Sequence, residues 1–371
     1  MTRKIRLALI FGGQSAEHAV SLSSARSVLA AVDPARYEIV PIGISPTGAW
    51  LLGPAALDLA ALPPSTNTGG ADTLVIHTES ESASAVARVL APTEGGSEDG
   101  GEAPLDVAFP LLHGPRGEDG TVQGLLELAG VPYVGAGVAA SAVGMDKVLM
   151  KNLFLQAGLP VVPFLLVTRS EWRAAPDDVA ARVAVAPGYP CFVKPANMGS
   201  SIGVSRAEGA DELAVALDLA SRYDRRILVE KAVAAPRELE CGVLGDEAPE
   251  VSVVGEIVVQ DGAAFYDYDA KYLPGASPLI VPAVVPAETA EEVRALARRA
   301  FLAIDGAGMA RVDFFLAADG VLYLNEINTI PGFTPTSMFP RLWEASGVPY
   351  AALIDRLVAL ALSRHEARRE Y

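Results

Sequence analysis

The chain has 371 residues, of which 51% are hydrophobic, and a formal net charge of −16 at pH 7. That length allows two or three domains with a large core, and no apolar run approaches the roughly 18 residues of a membrane span. The charge argues against nucleic acid as the main partner, because phosphate backbones require a basic surface. We therefore expect a cytoplasmic protein with neither nucleic-acid nor membrane partners. The isolated Cys191 and Cys241 indicate neither a disulfide framework nor a zinc site.

The first third of the chain alternates short apolar runs with helix-like runs, which predicts an open parallel sheet of the α/β class. The predicted strands are residues 4–11, 107–111 and 132–134, and the predicted helices are residues 21–32 and 122–129. Residues of about 62–104 are rich in Ala, Gly, Ser, Glu and Thr, which is typical of a variable insertion. We predict that this region forms one domain, residues 1–136.

Two polar residues of this region are candidates for contact with a ligand. Glu17 precedes the first predicted helix, where a carboxylate is commonly a capping feature. His113, in the segment LHGPRGEDG, is either a ligand-binding histidine or a loop histidine. The four histidines are scattered along the chain and indicate neither a catalytic triad nor a zinc cluster.

A second unit, residues 137–229, contains a candidate anion-binding loop. The predicted strand Cys191–Lys194 places a lysine at its end, and the Gly/Ser-rich residues 196–203 follow. Such a loop can surround an anion with backbone N–H groups and hydroxyls. It is not a Walker A loop, because the lysine precedes the glycines, and a flexible connection to the predicted helix 210–220 is the alternative interpretation.

The lysines are unevenly placed. Only six of the 29 basic residues are lysines. Four of them fall in the motifs of interest: Lys147, Lys194, Lys231 and Lys271. Lys4 and Lys151 have unremarkable sequence settings. A compact ammonium is suited to phosphate groups, so the four lysines are candidates for phosphate contacts.

A third unit, residues 230–371, begins where the predicted strand 227–229 ends. The crossover at Glu230 can present a carboxylate and backbone groups to the edge of a nucleobase, and Glu238 can reach a ribose hydroxyl. An ordinary surface strand end is the alternative interpretation of this segment.

The most informative segment of the third unit is a predicted β-hairpin. Two alternating apolar runs flank Asp319-Gly320, which is a strong hairpin signal. A two-residue turn there places Asp313 opposite Glu326 and Arg311 opposite Asn328, with all four side chains on one face. Two carboxylates and an amide oxygen form a site suited to Mg²⁺, and the guanidinium can stabilise a developing negative charge. The alternative is a solvated polar face with one ion pair.

Together these motifs resemble the D-alanine–D-alanine ligases, a family of the ATP-grasp superfamily. The resemblance covers nearly the whole chain apart from residues 62–104. The stretches that carry it are GGQSAEHAVSLSSA (12–25), LLHGPRGEDGTVQGLLELAGVPYVGAGVAASAVGMDK (111–147), VKPANMGSSIGVS (193–205), FYDYDAKY (265–272) and ARVDFFLAADGVLYLNEINTIPGFTPTSMFP (310–340). It implies a three-domain ATP-grasp fold of the α/β (α+β) class with domains 1–136, 137–229 and 230–371.

The resemblance also implies roles for individual residues. The implied ligands of two Mg²⁺ (or Mn²⁺) ions are Asp313, Glu326 and Asn328. The implied ATP-binding residues are Lys147, Lys194, Ser200, Glu230, Lys231, Val233, Glu238, Lys271 and Phe315. The implied substrate-binding residues are Glu17, His113, Arg311, Gly332, Ser337 and Met338. The implied catalytic residues are Glu17, Ser200, Tyr272, Arg311, Gly332 and Ser337.

The implied reaction is ATP-dependent ligation of two D-alanine molecules through an acyl phosphate, for peptidoglycan precursor synthesis, by a homodimer. Residues 196–203 and a second loop around 265–275 are expected to close over the site. Three alternatives remain at this point: a related ligase that makes D-alanyl-D-lactate, a different ATP-grasp enzyme, and a nucleotide-binding regulator without activity. A tyrosine at position 272 is expected to favour the dipeptide.

Overall fold

The computed structural model describes residues 3–61, 104–258 and 278–369, which form three β-sheets covered by helices. The strands are β1 (Ile5–Gly12), β2 (Tyr37–Ile44), β3 (Trp50–Leu52), β4 (Val107–Leu111), β5 (Phe164–Thr168), β6 (Cys191–Pro195), β7 (Ser205–Ala207), β8 (Arg226–Lys231), β9 (Arg237–Gly245), β10 (Glu250–Ile257), β11 (Leu279–Ile280), β12 (Gly308–Leu316) and β13 (Leu322–Asn328). The helices are α1 (His18–Ala31), α2 (Pro54–Ala61), α3 (Thr121–Leu128), α4 (Val138–Met145), α5 (Lys147–Gln156), α6 (Arg169–Ala174), α7 (Pro176–Val185), α8 (Ala210–Tyr223), α9 (Ala287–Ala303), α10 (Met338–Ala345) and α11 (Tyr350–Arg369).

The N-terminal sheet has the strand order β3-β2-β1-β4, in which β1 runs parallel to both neighbours. Strands β1 and β4 are buried almost throughout, as expected for strands that are covered on both faces. The predicted parallel sheet is therefore confirmed for β1, β2 and β4, whereas the edge strand β3 runs antiparallel to β2. The predicted strand 132–134 forms only an isolated bridge between Tyr133 and Ala108. The carboxyl ends of β1 and β4 lie side by side, which brings the segments after Gly12 and Leu111 together.

The central sheet is antiparallel, with the order β5-β8-β6-β7. It confirms the strands predicted at 191–194 and 227–229, and helix α8 confirms the predicted helix at 210–220. The sheet and its helices share a core formed only by residues of this region, among them Val193, Leu217 and Val229. This core holds the loop 196–203 at the end of β6.

The C-terminal sheet is antiparallel, with the order β11-β10-β9-β12-β13. In the hairpin β12–β13, the predicted pairs Arg311–Asn328 and Asp313–Glu326 are confirmed. The predicted two-residue turn is wrong. Ala317 N–H donates to the Val321 carbonyl at 2.9 Å, so the loop has three residues and ends at Gly320, whose φ is +85°.

The longer loop shifts the pairing near the turn by one residue, so that Leu316 faces Leu322. A β-bulge between the pairs Asp313–Glu326 and Phe314–Leu324 reverses the shift. The predicted register at the polar residues is therefore correct, because the turn and the bulge compensate each other.

The largest hydrophobic cluster joins the N-terminal sheet to the C-terminal part of the chain. It contains Leu9 and Phe109 together with Met309, Phe333 and Leu357, and the rings of Phe109 and Phe333 are 5.3 Å apart at their centroids. The last helices thus complete the core of the first sheet. The predicted domain limits at 136 and 229 stay predictions.

Among the described helices, no single one is long and apolar enough to cross a membrane. Helices α10 and α11 reach the required length and composition only as a pair, and a bend of 100° separates them.

Candidate active site

Segments from all three sheets meet after the ends of β1, β4, β6 and β13. Ser200, in the loop after β6, donates a hydrogen bond to Oε1 of Glu17, in the turn after β1, at 2.5 Å. His113, directly after Leu112 at the end of β4, contacts the backbone of Ile330, which follows β13. The fold therefore brings together residues that are more than 180 positions apart in the sequence.

Glu17 does not cap helix α1, because its side chain makes no capping hydrogen bond there. Its carboxylate instead lies against two glycines. A Cβ on Gly199 would lie 2.9 Å from Oε2 of Glu17, and a Cβ on Gly114 would lie 3.2 Å from it. Small residues at these two positions let the loop 196–203 and the loop after β4 approach the carboxylate.

His113 is buried and held in one tautomer. Its Nδ1 lies 3.0 Å from the carbonyl oxygen of Ile330, and because a carbonyl can only accept, Nδ1 carries the proton. Burial lowers the pKa of His113, although the nearby Glu17 acts in the opposite direction. Nε2 is buried without a hydrogen-bond partner in the described part of the chain. The ring therefore presents an unprotonated nitrogen that can accept a proton.

Glu118 is a second carboxylate of this site that the sequence analysis did not single out. Its Oε2 accepts a hydrogen bond from the Gly114 N–H at 2.7 Å. Burial and the negative charge of Glu17 raise the pKa of Glu118 to about 8, while the backbone N–H of Gly114 and the charge of Lys147 oppose this shift. The site thus contains one carboxyl group that favours its neutral form at pH 7.

The loop 196–203 is anchored at its base. Asn197 N–H and Nδ2 both donate to Oδ2 of Asp224, at 2.9 and 2.8 Å. Lys147 Nζ donates to the Met198 carbonyl at 2.8 Å. The tip is strained, because Ser200 and Ser201 have φ angles of +49° and +59°. A firm base and a strained tip suit a loop that rearranges over a ligand.

The polar face of the β12–β13 hairpin is a connected network. Arg311 Nε and Nη2 each donate to Asp313 at 2.7 Å. Glu240 lies 3.0 Å from the same guanidinium, and Asn328 Nδ2 donates to Asp313 at 2.9 Å. Burial acts to lower the pKa of Arg311, but the surrounding carboxylates outweigh it and raise that pKa well above its usual value. The network contradicts the alternative of a solvated face with a single ion pair.

The residues of this face fit a hard divalent cation. Among the described residues, no group of three His, Cys, Asp or Glu side chains forms a metal centre, and the predicted set has two carboxylates and one amide. Asp313 is neutralised by Arg311, and Glu326 lies 3.7 Å from Lys147 Nζ. Because Asn328 donates through Nδ2, its amide oxygen remains available to a cation. Oxygen donors of this kind are the ligands that Mg²⁺ prefers.

A buried carboxylate marks the predicted adenine region. Glu230 is 2% exposed, and Lys194 Nζ lies 3.4 Å from its Oε2. Burial acts to raise the pKa of Glu230, but Lys151 and Lys194 outweigh it and hold that pKa below its usual range. Glu238 on β9 faces Phe315 on β12 in the sheet register, so these two predicted residues are neighbours.

Lys231 and Val233 follow Glu230 in the same segment of the chain. The side chain of Lys231 is exposed, and its backbone N–H donates to the Pro163 carbonyl at 2.9 Å. Val233 is partly buried. The Lys231 N–H is therefore used within the protein and is not available to a ligand next to the buried Glu230.

The segment after β13 provides the remaining predicted residues. Ser337 Oγ lies 2.7 Å from Thr334 Oγ1, and a Cβ on Gly332 would lie 3.1 Å from that serine oxygen. The Met338 side chain is buried in a cluster with Ile257. Only the backbone of Met338, at the start of helix α10, is therefore available to an anion.

A pocket of about 420 Å³ opens beside Glu17. Its lining combines the turn after β1 with the tip of the loop 196–203, and includes Gln14, Glu17, Arg116, Met198, Gly199 and Ile202. It gives access to the carboxylate that Ser200 contacts.

Comparison with known proteins decides the family. The model described as "D-ala D-ala ligase N-terminus" matches residues 6–136, and that described as "D-ala D-ala ligase C-terminus" matches residues 153–359. The chain belongs to the D-alanine–D-alanine ligase family. This confirms the family and the class of enzyme, an ADP-forming ligase, that the sequence analysis predicted.

Individual members of the D-alanine–D-alanine ligase family match over nearly their whole length. The chain is 49% identical over 369 residues to the D-alanine–D-alanine ligase of Geobacillus thermodenitrificans, covering 99% of this chain and 98% of the relative. The solved D-alanine–D-alanine ligase of Coxiella burnetii superposes with a TM-score of 0.79 at 34% identity and covers 99% and 98% of the two chains. VanG D-Ala:D-Ser ligase from Enterococcus faecalis superposes with a TM-score of 0.79 at 32% identity, covering 97% and 100%.

The structure of this ligase-family chain also shows where the sequence analysis was incomplete. Tyr272 and Lys271 lie outside the described residues, so their predicted roles stay predictions. Three buried or partly buried charged residues of the site were missed: Glu118, Lys151 and Glu240. Glu118 lies five residues after His113, in a stretch that carried the family resemblance. Its closeness to the candidate His113 was the signal that could have identified it as a residue of the site.

Proposed function

We propose that this chain joins two molecules of D-alanine to D-alanyl-D-alanine, with conversion of ATP to ADP and phosphate, as a step in peptidoglycan precursor synthesis. The observation that carries the proposal is the Glu17–Ser200 hydrogen bond, which closes the phosphate loop onto the N-terminal domain. The intact hairpin face with Arg311, Asp313 and Glu326 supports an active enzyme over a regulator without activity.

The first step activates a carboxylate. An oxygen of the first D-alanine carboxylate attacks the γ-phosphorus of ATP, ADP leaves, and an acyl phosphate forms. In this proposal Glu17 holds the ammonium group of that substrate, and Lys147 and Lys194 hold the phosphates. Two Mg²⁺ ions, which Asp313, Glu326 and Asn328 would hold, neutralise the phosphate charge when bound.

The second step forms the peptide bond. The ammonium of the second D-alanine must first lose a proton to solvent, and the unprotonated Nε2 of the buried His113 can then accept a hydrogen bond from the amine. The free amine then attacks the acyl carbon, and phosphate leaves from the tetrahedral intermediate. The guanidinium of Arg311 and the N–H of Gly332 are placed to stabilise the oxyanion.

The carboxylate of the second substrate is proposed to bind at the start of helix α10. The hydroxyl of Ser337 and the backbone N–H of Met338 lie at that end, where the helix dipole favours an anion. Since the fold is shared with a protein described as a D-Ala:D-Ser ligase, it does not by itself select the second substrate. We propose that Tyr272 contributes to this selection by extending the Ser200–Glu17 network.

One assay tests the proposed reaction. The purified protein is incubated with ATP, Mg²⁺ and D-alanine, in parallel with L-alanine, D-serine or D-lactate as the second substrate, from pH 6 to 9. We expect phosphate release and D-alanyl-D-alanine as the main product. A protein that made mainly the ester or the D-serine product, or that released no phosphate with D-alanine, would overturn the proposal.

The same assay tests Tyr272. Because D-alanine must lose a proton and D-lactate need not, Tyr272→Phe should increase ester formation, most clearly at low pH. Loss of one hydroxyl contact changes the preference by about 1–3 kcal/mol. An unaltered product ratio would remove Tyr272 from substrate selection.

We further propose a cytoplasmic homodimer. The substrates, ATP and D-alanine, are small and soluble, and the dimer follows from the family resemblance. Light scattering on the purified protein would give the mass, and a mass of one chain at micromolar concentration would contradict the dimer.

A further inference from the structure

A buried lysine outside the assigned machinery lies beside Glu230, the carboxylate of the predicted adenine region. The sequence setting of Lys151 predicted nothing unusual, and the structure shows that this was wrong. The Lys151 side chain is 1% exposed, and its Nζ lies 3.5 Å from Oε2 of Glu230, itself 2% exposed. A buried ammonium requires compensation, and Glu230 provides it.

Glu230 is shared between two cations. Lys194 Nζ lies 3.4 Å from the same Oε2, so one carboxylate oxygen lies between two ammonium groups. Among the described residues, none donates a hydrogen bond to Oε1 of Glu230. The second oxygen therefore remains available to a donor on a ligand, such as the exocyclic amine of adenine.

Lys151 also contacts the metal-binding hairpin. Its Nζ donates to the Asn325 carbonyl at 3.0 Å, at the β-bulge that sets the register of Glu326. One turn earlier on helix α5, Lys147 reaches Glu326 and the phosphate loop. In the same helix, Met150 Sδ accepts the Ile327 N–H at 3.4 Å. Helix α5 thus connects the adenine region, the phosphate loop and the hairpin.

We propose that Lys151 is a positioning residue for the nucleotide. Its ammonium supplies the counter-charge that Glu230 needs, so that Lys194 is free to turn towards the phosphates. It also holds the carboxylate with one oxygen facing the amine edge of adenine and fixes that carboxylate relative to the hairpin. This inference rests on the proposed binding of adenine beside Glu230.

The matched test is Lys151→Met, which keeps an unbranched side chain, one atom shorter, and removes the charge. Binding of ADP and of inosine diphosphate, with Mg²⁺, is measured by calorimetry for the wild type and the variant. Inosine carries a carbonyl in place of the exocyclic amine and cannot donate to Glu230 from that position. We expect ADP binding to weaken about tenfold and the preference for ADP over inosine diphosphate to fall to about twofold or less. Lys4→Met, at an exposed position, is the control and should change neither value.

A double variant keeps the test decisive if Lys151→Met folds poorly. Lys151→Met combined with Glu230→Gln removes the uncompensated charge and should restore the melting temperature. The glutamine can accept from adenine and donate to inosine, so the preference for ADP should stay lost. Recovery of the preference in the double variant would overturn the proposal.

Other outcomes separate this proposal from the proposed function. A Lys151→Met variant with wild-type affinity and preference would overturn the role of Lys151. A variant that loses stability, D-alanine affinity and nucleotide affinity equally would show a purely structural role and overturn it as well. A wild type that binds both nucleotides equally would overturn the adenine contact and this proposal with it, yet leave ligation of D-alanine intact. A wild type that prefers ADP but ligates nothing would instead contradict the proposed function.

Discussion

On the polar face of the β12–β13 hairpin, each buried charge is compensated by a neighbouring charge. Asp313, which pairs with Arg311, is central to this network. We expect Asp313→Asn to lower kcat about a hundredfold or more, equivalent to roughly 3 kcal/mol, because one charge of the proposed metal site is lost. The asparagine fills the same space and its one oxygen still accepts from Arg311, but its amide nitrogen replaces an oxygen that accepts from Arg311 or Asn328. The melting temperature should therefore fall, while the variant still folds. Asp319→Asn, exposed in the turn of the same hairpin, is the control. Wild-type turnover of Asp313→Asn at matched Mg²⁺ would contradict the metal assignment.

Glu118 makes the stability of the folded protein depend on pH. Its pKa is about 8 in the folded protein and near the ordinary value of about 4.3 when unfolded, so the folded state holds one extra proton between these values. The resulting contribution to stability is complete below the unfolded pKa and is lost as the pH rises through 8. Glu118→Gln has no such proton. The melting temperature of Glu118→Gln minus that of the wild type should therefore increase as the pH rises from 5 to 8. If the two melting temperatures changed in parallel with pH, the raised pKa would be contradicted.

Among the elements of the fold, the loop 196–203 is the one expected to respond to nucleotide. Its base is anchored to Asp224 and its tip depends on the contact between Ser200 and Glu17. Hydrogen exchange of this loop should slow when ATP, Mg²⁺ and a transition-state mimic are added. Ser200→Ala should speed exchange in the free protein, and peptides of helix α8 serve as the internal control. Identical exchange with and without ligands would contradict closure. The companion loop around 265–275 lies outside the described residues.

At the scale of the whole molecule, the cores predict which regions unfold together. Leu357 of helix α11 packs in the cluster that joins β1 to β12, whereas Leu217 packs in the separate core of the central sheet. Each replacement by alanine should cost about 2–5 kcal/mol. Leu357→Ala should raise hydrogen exchange in β1 and β12 together and leave β6 unchanged. Leu217→Ala should do the opposite, and equal effects of both variants on all three sheets would contradict separate cores.

Local sequence patterns were sufficient for the strands, the loop and the hairpin of this chain. The apolar runs of β1 and β4, the Gly/Ser-rich stretch after Lys194 and the alternating runs around Asp319-Gly320 are short-range signals, set by side-chain periodicity and backbone freedom. The prediction that Asp313 faces Glu326 rested on that periodicity and on a two-residue turn, and it is correct because the bulge offsets the third turn residue. The resemblance to a known family then supplied roles for residues, such as Ser337, whose local sequence indicates no chemistry.

Only the tertiary structure decided the environment of the charged groups. Whether Glu17 caps a helix or meets Ser200, whether His113 is a loop residue or a buried neutral ring, and whether Lys151 is on the surface depend on contacts between distant segments. The sequence analysis also missed the three-residue turn and the bulge at Asn325. The predicted register was nevertheless correct, because the effects of the turn and the bulge on it cancel. The physical reason is that desolvation and ion pairing arise from the surroundings of a side chain in three dimensions. A linear sequence specifies which groups are present, and the packing of the three sheets determines which of them face each other without water.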